Sequence, residues 1–256
     1  MQIEKSVQAQ FGAAAAAYAS SRVHADGRDL EAMLNAVPLT GGERVLDAGC
    51  GAGHTALAFA PRVREVHALD LTQAMLKQTG RLARERGIGN LHLRRGDVEA
   101  LPYPAGAFDL VTSRLCAHHF ARPVCAVTEM VRVLRPGGAL LLSDSVAPED
   151  PDRDRFLNRI EKLRDPSHVR DHSLREWRAW LEAAGLETRL VGSFPVLIEF
   201  DDWVARMRTP PAAAAEIKTL LDSASPDLRR AFQLDRGGRY DFRMPIAVLY
   251  GCLRPT

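Results

Sequence analysis

An apolar run that breaks into three alternating glycines constrains this chain more than any other feature: Val45-Leu46-Asp47-Ala48-Gly49-Cys50-Gly51-Ala52-Gly53-His54. A second apolar run, Val66-His67-Ala68-Leu69, ends in the carboxylate of Asp70. A buried strand running into glycines lets backbone approach a ligand closely, and an acidic side chain one strand later can grip a ribose diol. Together they predict an adenosine-containing ligand.

The spacing says which one. In the dinucleotide fingerprint G-x-G-x-x-G, the third glycine lets strand and helix pack closely while the helix N-terminus faces a pyrophosphate. Counted from Gly49 and Gly51, that position is His54, and the glycine falls one residue early at Gly53. Tight packing and an anion cradle are therefore expected to be missing, and Asp47 adds negative charge where a pyrophosphate would be repelled. A cofactor with a cationic, amine-bearing end fits better. The order Asp-x-Gly-x-Gly-x-Gly, then Asp70, then Gly96-Asp97-Val98, then Phe108-Asp109-Leu110-Val111 resembles the class I S-adenosylmethionine (SAM)-dependent methyltransferases.

Around these motifs, strands and helices alternate. Strands are expected at 44–48, 65–69, 91–95, 108–112 and 139–143, the last after the break Pro136-Gly137-Gly138. Helices are expected at 54–60, 72–86 and 123–134. This predicts an α/β fold, a parallel sheet with helices on both faces. Toward the C-terminus, Leu174–Ala184 reads as a helix, 186–191 and 244–249 as strands, and 202–221 as a helix broken at Pro210-Pro211. The resemblance implies a Rossmann-like seven-stranded sheet with its last strand antiparallel, plus N-terminal and C-terminal helical cap elements. Residues 1–40 read as helix and are the expected lid, with Phe11, Tyr18 and His24 as candidate contacts. Residues 41–256 would form the methyltransferase domain, with a helical insert at about 200–225.

Composition excludes more than it assigns. The 256 residues suffice for one core with a cap, and 34 basic against 32 acidic residues leave a net charge of +2, no basis for a nucleic-acid partner. The Arg-rich stretch 153–178 is interspersed with acids and reads as a solvated helical face. Cys50, Cys116, Cys125 and Cys252 form no CxxC pair, which suits a reduced, cytoplasmic setting. No apolar run approaches the roughly 20 residues that span a bilayer, so a soluble protein is expected. Oligomeric state is not set by the sequence, and a homodimer is one option.

The resemblance implies roles for individual residues. Gly49, Gly51 and Gly53 would form the turn beneath the methionine end of SAM, and Asp47, Cys50 and His54 are further expected cofactor contacts. Asp70 would hold the ribose, although capping the helix that starts at Thr72 is an alternative. Leu71 and Met75 would sandwich the adenine, against plain core packing, while Asp97 and Val98 would meet its amine and ring nitrogen. Glu99 and Arg114 complete the cofactor set. Ser21-Arg22-Val23-His24, Ser113-Arg114-Leu115-Cys116-Ala117-His118-His119-Phe120 and Arg164-Asp165-Pro166-Ser167-His168-Val169 are similar to small-molecule methyltransferases of the ubiquinone/menaquinone-biosynthesis type. The acceptor would then be a small apolar or aromatic molecule, a secondary metabolite or quinone precursor methylated at O or C. Alternatives on the same fold are a SAM-binding cyclisation or rearrangement enzyme and a non-catalytic SAM-binding protein.

His118 and His119 are the candidate catalytic residues, as a general base or as packing beside the cofactor. Successive residues of an extended loop point to opposite sides, which assigns His119 to the cofactor and His118 to the acceptor. No metal is expected, because adjacent histidines lack helical ligand spacing and no acidic or cysteine cluster accompanies them in sequence. Asp144 can face the acceptor, although a surface turn is the plainer expectation.

Overall fold

The computed structural model describes residues 2–19, 25, 27–234 and 238–254. Its main sheet has seven strands: β1 (Arg44–Ala48), β2 (Glu65–Asp70), β3 (Leu91–Arg95), β4 (Phe108–Arg114), β5 (Leu134–Ser145), β6 (Leu186–Ser193) and β9 (Ile246–Leu253), in the spatial order β3-β2-β1-β4-β5-β9-β6. Strands β1 to β5 are parallel, and β9 runs antiparallel to both β5 and β6. The chain order reverses between β1 and β4, where open α/β sheets bind ligands at the carboxyl edge.

Alternation along the strands builds a core on each face. Leu46, Val111 and Leu140 pack into one, together with Trp177 and Leu181. Their neighbours Val45, Leu110 and Leu141 pack into the other with Met33 and Phe59. The flanking helices include α1 (Gln2–Ala19), α2 (Arg28–Ala36), α3 (His54–Phe59), α4 (Gln73–Glu85), α5 (Pro123–Arg132), α6 (Pro151–Arg164) and α7 (Leu174–Ala183). Ala15 and Ala19 of α1 bury against Leu57, Met75 and Leu82 of α3 and α4, small side chains that let the helix lie close over the sheet edge. His24 and its neighbours 20–23 lie outside the described residues.

Two expected strand boundaries change. Pro136-Gly137-Gly138 does not separate helix from strand: β5 already pairs Leu134 with Phe108 and resumes at Ala139 opposite Leu110, so 135–138 form an irregularity inside the strand. The strand expected at 244–249 divides at Pro245, which has no N–H for a ladder. Upstream of it, β8 (Phe242–Met244) pairs with β7 (Val196–Ile198) in a separate two-stranded sheet, and downstream β9 joins the main sheet. That small sheet, α6, α8 (Phe200–Met207), α9 (Pro211–Asp222) and α10 (Pro226–Ala231) share a further core of Phe156, Ile160, Trp203, Ile217 and Phe242. This packed unit is thus larger than the 200–225 insert expected from the sequence.

The stretch 153–178 is also not simply a solvated face: Glu161, Arg164, Asp165 and Asp171 are buried. They turn inward from α6 and the segment after it.

Candidate active site

Two adjoining cavities occupy the carboxyl edge of the sheet. The larger lies over the glycine turn. Gly49, Gly51 and Gly53 have φ of +77°, +53° and +87°. A Cβ on Gly49 would stand 2.1 Å from Cys116 Sγ, and one on Gly53 would stand 2.4 Å from Thr79 Cγ2 on α4. Only glycine combines these angles with that closeness. Close packing at the third glycine is therefore present, contrary to the sequence expectation, and is directed at α4.

Asp47 also departs from its expected part. It is buried behind the turn, where Oδ2 accepts the Ala56 N–H at 3.0 Å and Oδ1 accepts the Thr112 hydroxyl at 3.0 Å. Burial pushes its carboxyl up to about 7, against the lowering effect of those two donors. Its charge supports the N-terminal turn of α3 instead of facing a ligand. Asp47 and Gly53 do not line the cavity, whereas Gly49, Cys50, Gly51, His54, Asp70, Leu71, Met75, Asp97, Val98, Glu99 and Arg114 do.

Asp70 both shapes the turn and borders the cavity. Its Oδ2 accepts the Gly51 N–H at 2.8 Å and its Oδ1 the Thr72 N–H at 2.7 Å, one bond per oxygen, and each oxygen retains a lone pair for a ribose hydroxyl. Burial raises its carboxyl above the usual range, partly opposed by those N–H groups. Leu71 and Met75 border the same space. Asp97 Oδ1 accepts the Glu99 N–H at 2.9 Å, and the Glu99 carboxylate is turned to Arg122, accepting its N–H at 2.7 Å and its Nε–H at 2.8 Å. Arg114 makes a bidentate pair with Asp29 of α2, Nε to Oδ2 at 2.6 Å and a terminal nitrogen to Oδ1 at 2.9 Å, and Ser143 donates to Asp29 at 2.9 Å. Nothing in the sequence near Asp29 marks it as the partner of a residue 85 positions away.

The smaller cavity, about 570 Å³, opens toward the cap. Phe11, Tyr18 and Leu115 line both cavities. Leu115 holds φ of +51°, which for a non-glycine residue stores strain of about 1–3 kcal/mol and turns the chain sharply out of β4. The chain then enters a 3-10 turn over Ala117–His119, not an extended loop. Asp144 builds that turn: its Oδ2 accepts the N–H groups of Cys116, Ala117 and His118 at 3.1, 2.5 and 3.2 Å, and its Oδ1 lies 2.6 Å from His118 Nδ1. Asp144 is 2% exposed and sits inside β5, so the surface turn expected of it is corrected.

The two histidines divide between the cavities, His119 lining the larger and His118 the smaller. Burial alone would push His118 down, yet the Asp144 carboxylate outweighs it and lifts the ring to about 9. Burial would raise Asp144, and the facing His118 holds it below the ordinary carboxylate range. His119 is held well below 6.5 by burial and by the charge on His118, and its Nδ1 lies 3.1 Å from the Ser167 carbonyl. Asp144 and Asp171 bring ligand atoms within 4.8 Å of His118, so an acidic cluster does accompany this histidine in space. His118 and Asp144 engage each other, and Asp171 accepts the Ser145 hydroxyl on Oδ1 while its buried Oδ2 has no hydrogen-bond partner among the described residues.

A seven-stranded sheet in this order, a glycine turn under an acid-bordered cavity and a second cavity beside it define the class I methyltransferase architecture. Known proteins agree with that assignment. A methyltransferase-domain family model matches residues 46–142. The chain is 41% identical over 222 residues to the uncharacterized methyltransferase YcgJ of Bacillus subtilis, covering 87% of this chain and 88% of that one. The crystal structure of YcgJ superimposes with a TM-score of 0.85 at 39% identity, over 89% of this chain and 99% of the other. A malonyl-[acyl-carrier protein] O-methyltransferase of Salmonella typhimurium is 33% identical over 184 residues, 69% of this chain and 70% of its own. The chain belongs to the class I SAM-dependent methyltransferases. No helix among the described residues is long and apolar enough to cross a membrane.

Proposed function

We propose that this methyltransferase moves the methyl group of SAM onto an oxygen or carbon of a small apolar or aromatic molecule seated in the smaller cavity. The observation that carries the reading is the shared wall: Phe11, Tyr18 and Leu115 border both spaces, so the two spaces are neighbours and a ligand in each would meet the same three side chains. The acceptor side is walled by Val196, Ile198, Trp203, Met244 and Ile246, which favours an apolar body.

The glycine cradle and the two-oxygen Asp70 fit SAM. Gly49 and Gly51 would bring backbone close to the methionine end, Asp70 would hold the ribose hydroxyls, Leu71 and Met75 would flank the adenine, and Asp97 and Val98 would meet its polar edge. SAM supplies a methyl already activated by its sulfonium, so the protein's part is alignment and exclusion of water. Phe11 packs edge-on against His119 at 4.9 Å, and the Tyr18 carbonyl lies 3.0 Å from His54 Nε2, which makes α1 the roof. His118, protonated at neutral pH and braced by Asp144, orients the acceptor by donating to it and does not serve as the base. O-methylation is also the activity named for the Salmonella relative.

Incubating the protein with methyl-labelled SAM and a cell extract, then resolving the products by mass, tests the proposal. Label in a small organic product is expected; label only in protein or nucleic acid, or none with SAM bound, overturns it.

A further inference from the structure

Resting on that methyltransferase reading, we propose that Arg206 and Arg164 form a carboxylate-recognition site in the wall of the acceptor cavity, so that the acceptor is an apolar acid. Both residues line the smaller cavity among Val196, Ile198, Trp203 and Met244. Burying two arginines in an apolar wall is costly unless their donors are used.

Arg164 has most of its donors in use. Its Nε donates to the Trp203 carbonyl at 3.3 Å, a terminal nitrogen lies 3.3 Å from the Tyr18 hydroxyl, another lies 3.7 Å from Glu161, and the guanidinium stands 5.1 Å over the Trp203 ring. These contacts hold the group rigid beside the cavity.

Arg206, one turn beyond Trp203 on α8, is different. Its side chain is only 8% exposed, and a terminal nitrogen reaches Asp202 at 2.5 Å on the solvent side. Its Nε is buried with no hydrogen-bond partner among the described residues. A buried donor on a charged group is costly to leave unsatisfied, a cost that a bound anion removes. A planar carboxylate matches the guanidinium edge, and a charge-assisted bond there is among the stronger ones available. The one acid lining this cavity among the described residues, Glu161, is raised above the ordinary carboxylate range by burial, and its carboxylate lies 3.7 Å from Arg164. His118 adds a further positive group on the same wall. A carboxylate can meet the Arg206 donor with a charge-assisted bond, which a cationic acceptor cannot do and a neutral one does more weakly.

The test is calorimetric and needs no turnover. With S-adenosylhomocysteine bound, the full chain is titrated with decanoate and 3-phenylpropionate, with their amides, and with decyl phosphate. The acids are expected to bind at least tenfold more tightly than the amides and more tightly than the phosphate. Arg206→Gln is expected to abolish that preference while S-adenosylhomocysteine affinity stays within twofold. Asp202→Asn, at a side chain 64% exposed, frees the guanidinium from its outer partner and is expected to tighten acid binding severalfold. No acid outdoing its amide, a preference that survives Arg206→Gln, or tighter binding of the phosphate would each overturn the assignment. Failure of the unaltered protein to bind S-adenosylhomocysteine would instead bring down the methyltransferase reading beneath it.

Discussion

His118 Nδ1 and Asp144 Oδ1 stand 2.6 Å apart, and the same carboxylate collects the three N–H groups that form the turn carrying the histidine. One side chain therefore sets both the position and the charge of a residue that lines the smaller cavity. The ring's folded-state value of about 9 lies above its ordinary 6.5, so the pair's stabilisation is complete below about 6.5 and is lost as pH rises through about 9. At about 1.4 kcal/mol per unit the loss approaches roughly 3 kcal/mol. Denaturant melts from pH 6 to 10 should show this decline, and Asp144→Asn should flatten it.

Replacing His118 by Gln removes the charged donor but leaves the cofactor cavity intact. Single-turnover rate should fall about a hundredfold, the usual cost of one preorganised donor, with SAM affinity held within threefold. Parallel loss of SAM affinity would assign His118 to the cofactor instead.

Asp70→Ala should weaken SAM binding by about 1.5–3 kcal/mol, since two charge-assisted contacts to the ribose disappear. The Gly51 and Thr72 N–H groups lose their acceptor as well, so a lower melting temperature is also expected. Calorimetry and thermal melts measure the two effects separately.

The Arg114–Asp29 pair ties β4 to α2 with side chains 3% and 2% exposed. Asp29→Ala removes the buried carboxylate paired with Arg114 and should destabilise by about 3–5 kcal/mol, whereas joint replacement by Met and Leu should recover most of that. Chemical denaturation of both single variants and the double variant closes the cycle.

Helix α1 covers both cavities through Phe11 and Tyr18. If it opens for ligand entry, proteolytic cleavage within 2–19 should slow several-fold when S-adenosylhomocysteine is added. Equal rates with and without it would make α1 a fixed wall.

Much of the cofactor side was legible in the chain because its determinants are local. A strand, three glycines and an acid one strand later are contiguous signals, and the parallel register that brings Asp70 beside Gly51 follows from alternation alone. Other expectations failed where a long-range partner decided. Asp47 looked like a charge facing a ligand, yet Thr112 and Ala56 draw it inward. Asp144 looked like a turn residue until β5 extended to Ser145 and buried it. The acids and arginines of 153–178 alternate in sign like a solvated face, and only the packing of the cap turns Glu161, Arg164 and Asp171 inside.

By itself the sequence determined the sheet, the glycine turn and the kind of cofactor, because strand periodicity, glycine's freedom at positive φ and the placement of one carboxylate are written in neighbouring residues. The tertiary structure alone decided the acceptor side. His118 meets Asp144 across 26 positions, Arg164 meets Tyr18 across 146, and Arg114 meets Asp29 across 85. No periodicity encodes such pairs; burial removes water from these groups, and the charges that remain must find each other in the folded chain.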